Sequence, residues 1–163
     1  MKIELIQPFI NAADAVLSQT FACPINVSDI SMEQEAYQRR ATASMVEITG
    51  DIEGRVIFDV DDSAAMKVAS SLAGMELEPD PQLIRESVSE LANMVIGNAV
   101  TTLNDQGFRF RVHPPVDHSS GTGFCGSKDI EALVMDFESP VGSVVMNVAI
   151  QYNSRRRGDR SKV

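Results

Sequence analysis

The order of hydrophobic periodicities along the chain constrains its fold more than any single motif. Apolar residues at helical spacing come first, three strand-like runs follow, and the same order then recurs. From residue 3 to about 20, Ile6, Phe9, Ile10, Ala13, Val16 and Leu17 repeat on one helix face, with Pro8 early enough for a helix to tolerate it. Strand-like runs cover 25–30, 41–49 and 55–60. Gly50-Asp51-Ile52-Glu53-Gly54 supplies a turn between the last two, which predicts a hairpin. Asp61-Asp62-Ser63 offers N-cap chemistry for a helix over 64–73, closed by Gly74. Beyond the breaker Glu78-Pro79-Asp80-Pro81 a long helix runs to about Asn104. Strand signals return at 108–112, 131–137 and 142–152, with a Gly-, Ser- and Pro-rich loop over 114–128.

Two helix-plus-three-strand halves, 3–60 and 82–152, predict an α/β (α+β) fold: a largely antiparallel sheet with helices packed on it. The halves share a pattern and no residue-level repeat. A chain of 163 residues fits one domain, expected over 1–152 and followed by a basic, disordered tail over 153–163. The long, apolar 142–152 strand is expected to pair edge to edge in a homodimer.

Charge narrows the partners. The formal balance is −9, yet the tail concentrates Arg155, Arg156, Arg157, Arg160 and Lys162 against Asp159. The first 152 residues carry 9 bases and 22 acids, a balance of −13. Such a body argues against nucleic acid, whose phosphates need a basic face, and the arginine run is ordinarily a solvated tail. No apolar run approaches the ~20 residues that span a bilayer. The opening Met-Lys-Ile-Glu-Leu-Ile-Gln-Pro has an acid and a proline where a signal peptide needs apolar continuity. The expectation is a cytoplasmic protein, not associated with membrane, with Cys23 and Cys125 reduced.

The long helix carries the functional signal. At about 100° per residue, Ile84, Val88, Leu91, Ala92, Val95, Ile96, Ala99 and Leu103 share an arc of roughly 140° that must pack on the sheet. Glu86, Glu90, Asn93 and Gly97 share an arc of about 60° on the far side. An amphipathic helix always has a polar face, but this one is poorly written for helix stability. Glu86 and Glu90 are like charges one turn apart, and Asn93 and Gly97 are weak helix formers. Glycine at 97 also removes a side chain beside Asn93, so another molecule can approach closely.

Glu90-x-x-Asn93, followed about twenty residues later by Pro114, resembles the signature of the CheC/CheX/FliY chemotaxis phosphatases. Gln7-Pro8-Phe9-Ile10-Asn11-Ala12, and Gly50 and Gly54 with the strand after them, are similar to the CheX branch, so the resemblance covers nearly the whole chain. It implies an α/β fold, a dimer, and hydrolysis of the aspartyl phosphate of a CheY-type response regulator. By resemblance, Asn93 orients the attacking water and Glu90 reaches the receiver's lysine. Glu86, Gly97 and Pro114 are the expected partner-binding residues. The chain departs from the family in carrying Glu86 where Asp or Ser is frequent, and in offering both Pro114 and Pro115. The first helix has no matching motif; Glu4-x-x-Gln7 is a distant echo, which leaves one active strip per chain.

The implied chemistry suits these residues. An aspartyl phosphate is an activated acyl phosphate held with Mg²⁺ in its own protein, so this chain needs no metal, cofactor or nucleophile of its own. A neutral carboxamide can hold water without repelling phosphate.

Rival readings are weaker. His113-Pro-Pro-Val-Asp117-His118 lacks metal-ligand spacing and further ligands. Cys125 with His118 lacks an orienting group. The 119–126 loop lacks the Gly-Lys-Ser/Thr ending of a nucleotide cradle, and Asp61-Asp62 reads as a helix cap. The principal alternative is a non-catalytic module of the same fold that binds a receiver domain or another signalling protein; a structural dimer with a merely solvated acidic strip is a second.

Overall fold

The computed structural model describes residues 3–32, 41–76, 78, 80–117 and 131–153. The expectations for Pro79, His118, Cys125, the 119–126 loop and the arginine-rich end lie outside these residues. Helix α1 (Ile3–Phe21) leads into strands β1 (Asn26–Met32), β2 (Thr42–Gly50) and β3 (Ile52–Val60). Helices α2 (Asp62–Ala73) and α3 (Pro81–Asp105) follow, then β4 (Phe110–Val112), β5 (Val116–Asp117), β6 (Leu133–Ser139) and β7 (Gly142–Tyr152).

Local chemistry accounts for the element ends. Asp61 Oδ1 accepts from the Ala64 amide at 2.8 Å, capping α2, and Gly74 ends that helix in the left-handed region at φ 71°. Asp61 Oδ2 also accepts from Ser143 N at 2.9 Å, so the cap ties α2 to the start of β7. Asp80 accepts from Gln82 N at 3.0 Å and Pro81 takes the first turn of α3, where its missing amide costs nothing. Pro8 is the exception, because it lies in the second turn of α1. Its missing amide deprives the Glu4 carbonyl of a helical donor, at an exposed end of the helix.

All strand pairings are antiparallel, in the order β1-β6-β7-β3-β2-β4, with β5 also on β2. The hairpins β2–β3 and β6–β7 meet at the β3–β7 seam. Each half's leading strand then flanks the other half's hairpin: β1 pairs β6, and β4 pairs β2. Thus β7 is central and not an edge, correcting the expected edge pairing through 142–152. Its apolar residues reflect burial on both faces. Among the described residues the edges are β1 and the short β4 and β5, between which Pro114 and Pro115, lacking amides, interrupt the ladder. The expected loop over 114–128 therefore opens with a two-residue strand.

The three helices share one core with the sheet. Phe9 and Leu17 of α1, Val68 of α2 and Val88, Leu91 and Val95 of α3 are buried against Val46, Val56, Phe58, Met146 and Val148. Each such side chain contributes about 1.5–3 kcal/mol by leaving water. Gly54 is set by close approach. At φ 142°, a Cβ there would sit 1.8 Å from the Ala149 carbonyl oxygen of β7.

Candidate functional site

Helix α3 packs over β2 and beside α1 and α2, and this fixes its rotation. Val88, Leu91, Ala92, Val95, Ile96, Ala99 and Leu103 are buried as expected, joined by Ser87. The opposite face is left to solvent, with Glu86, Glu90, Asn93 and Gly97 all exposed along it. From Glu86 to Gly97 the strip runs about 16 Å along the axis. Glu86 accepts from Gln82 Nε2 at 3.1 Å. Glu90 and Asn93 bond no side chain among the described residues, so a carboxylate and a carboxamide one turn apart lie exposed on this face. A Cβ added at Gly97 would meet nothing within 4 Å, so nothing in this chain's own packing requires a glycine there.

One long flank of the strip is bound to the sheet through hydroxyls. Ser89, the helical neighbour of Glu86 and Asn93, has its Oγ 3.4 Å from Ser44 Oγ of β2. Ser44 in turn donates to the Val116 carbonyl of β5 at 3.5 Å. This sets β5 alongside α3 and leaves the Val116 side chain 49% exposed there. Pro114 is exposed in the bend between β4 and β5, two residues before Val116. The helix thus brings Glu86, Glu90, Asn93 and Gly97 together, and Pro114 stands on the segment that borders them.

Sequence reasoning missed Ser44, Ser89 and Val116. No spacing signal links residues 45 positions apart, and a two-residue strand has no measurable period. It also missed a groove of about 560 Å³ between the first turns of α1 and the last turns of α3, where Gln7 and Asn11 face Asn98, Thr101 and Thr102. A carboxamide pair at i and i+4 was the available signal there, since Gln7 Nε2 donates to Asn11 Oδ1 at 2.8 Å.

Other candidates take structural roles. His113 Nε2 lies 3.0 Å from Thr49 Oγ1, its amide donates to the Glu47 carbonyl at 2.9 Å, and Asp61 is a cap. Among the described residues no three His, Cys, Asp or Glu side chains come close enough to hold a metal ion. Among the described residues no helix is long and apolar enough to cross a membrane.

A helix-backed antiparallel sheet of this kind is the fold of CheC/CheX-like protein structures. The model for the family described as chemotaxis phosphatase CheX matches residues 42–138, well over half of the chain, and the chain belongs to the CheX family. The CheY-P phosphatase CheX of Thermotoga maritima is 33% identical over 73 residues, 44% of this chain. The chain spans about half the length of that curated relative, 47%. Among solved structures, the CheX-CheY-BeF3-Mg+2 complex from Borrelia burgdorferi matches at 31% identity, covering 92% of this chain and 99% of that one, with a TM-score of 0.69. Chemotaxis protein CheX from Vibrio vulnificus matches in fold at 20% identity, covering 91% and 99%, with a TM-score of 0.78.

Proposed function

We propose that this chain hydrolyses the aspartyl phosphate of a CheY-type response regulator and so terminates a chemotaxis or related two-component signal. The observation that carries the reading is the unengaged pair Glu90 and Asn93 on the solvent face of α3, next to a glycine the chain itself does not need. The Thermotoga relative is named a CheY-P phosphatase, and the Borrelia relative was solved with CheY, BeF3 and Mg+2.

In this proposal Asn93 enters the receiver's phosphorylation pocket and holds a water in line with the scissile P–O bond. The carboxamide accepts from the water while its amino group donates to it or to a phosphate oxygen. A carboxylate at 93 would repel the phosphate. The water oxygen bonds phosphorus as the P–O bond to the aspartyl carboxylate breaks, the carboxylate keeps the electron pair, and the water's proton passes to the phosphate. Positioning supplies the acceleration, because the acyl phosphate is already activated. Glu90 pairs with the receiver's lysine and fixes the register of docking. The Mg²⁺ belongs to the partner, and the chain supplies no metal or cofactor.

The working location is the cytoplasm, where response regulators act, and the working form is a homodimer. Support for the dimer comes from β1. Among the described residues it pairs only β6, and Val27, Ile30 and Met32 are exposed along it, Ile30 to 58%. An apolar edge of that kind is covered by a second copy.

The test follows phosphate loss from a purified phosphorylated receiver with no addition, with the native chain and with Asn93→Ala, alongside binding. The expected result is acceleration by the native chain, loss of that acceleration in Asn93→Ala and retained binding. Binding without acceleration by the native chain would establish the non-catalytic module instead.

A further inference from the structure

Resting on the phosphatase reading, we infer that the receiver's footprint runs past the Glu90–Asn93 strip into the groove between α1 and α3, where Gln7, Asn11 and Asn98 bind its main chain. Area is the first argument. A specific interface covers about 800 Å² on each partner, whereas a strip about 16 Å long on one helix face offers on the order of 200 Å². The balance must come from surfaces bordering the strip, and the groove is a concave surface that continues it.

Continuity is the second argument. Asn93, Gly97 and Thr101 succeed one another at one-turn intervals, and Thr101 lines the groove. Gly97 has open space where a Cβ would stand, so a segment lying over Asn93 can cross bare backbone into the groove.

The chemistry of the lining selects what enters. The hydroxyls of Thr101 and Thr102 donate back to the Gly97 and Asn98 carbonyls, at 3.1 and 3.5 Å, and are engaged within the helix. Gln7 donates to Asn11, leaving Gln7 Oε1 to accept and Asn11 Nδ2 to donate. Glu4 is occupied by the Tyr152 hydroxyl. Beside the Glu4 carboxylate the groove offers neutral donor–acceptor pairs, which match peptide groups and, with that carboxylate, disfavour phosphate. The same engagement of Glu4 and Gln7 within the chain suits α1 to docking.

The experiment measures binding of a CheY-type receiver loaded with beryllofluoride and Mg²⁺, together with turnover of the phosphorylated receiver. It compares the native chain, the double variant Gln7→Ala/Asn11→Ala, and Ala15→Phe, which fills the groove from α1. Both variants are expected to raise Kd about tenfold while kcat at saturation stays within about twofold of native. A Kd within about twofold of native in a folded variant overturns the inference. Weakened binding in the variants without any acceleration by the native chain leaves the docking groove standing and removes the phosphatase reading. A native chain that binds no receiver removes both.

Discussion

Gly97→Ala separates the two purposes a glycine can serve in a helix. Gly97 lies inside α3, in ordinary helical conformation and exposed, and a methyl there would meet nothing within 4 Å. Alanine is favoured over glycine in a helix interior by about 0.8–1.0 kcal/mol, and here nothing offsets that gain. For a domain of this size the change should raise Tm by roughly 2–4 °C. If a receiver packs on the bare backbone, the same methyl must be forced into a closed contact. Overpacking of that kind costs about 1–2 kcal/mol, a five- to thirtyfold rise in KM. Stability and function should move in opposite directions, which neither a purely structural glycine nor an idle one produces. Melting followed by circular dichroism, and steady-state turnover of a phosphorylated receiver, read the two axes. A higher Tm with unchanged kcat/KM would refute the claim that Gly97 makes room for a partner. A lower Tm would refute the open space itself.

Other substitutions probe the remaining parts. Glu90→Gln should raise KM and flatten its dependence on salt, because the charge pair with the receiver's lysine is lost; kinetics at two ionic strengths check this. Leu91→Ala, at a fully buried position of α3, should cost about 3 kcal/mol in urea unfolding. Gly54→Ala should cost about 2–4 kcal/mol or prevent folding, since its Cβ would stand 1.8 Å from the Ala149 carbonyl oxygen; unfolding midpoints test it.

Elements set by local chemistry were legible in the sequence. The apolar arc of α3 fixed which face meets the sheet and therefore which residues reach solvent, and Asp61 and Gly74 bounded α2 as expected. What escaped depends on contacts remote in sequence. The apolar 142–152 run predicts an edge only because length and hydrophobicity alone do not give a strand's neighbours. Its near-continuous burial, Ser143 through Ile150, instead marks a strand covered on both faces. The Ser44–Ser89 contact and the α1–α3 groove join residues that only the finished fold brings together.

The exchange of leading strands between the halves has a consequence during synthesis. Strand β1 leaves the ribosome about a hundred residues before β6, its partner, since Met32 pairs Leu133 and Asn26 pairs Glu138. At roughly 5–20 residues per second the nascent chain carries that unpaired apolar edge for about 5–20 s. No intermediate ending before β6 can satisfy the β1 amides and carbonyls that face β6 by native pairing. Yield in cells should therefore depend on chaperone capacity during elongation more than on the stability of the finished protein.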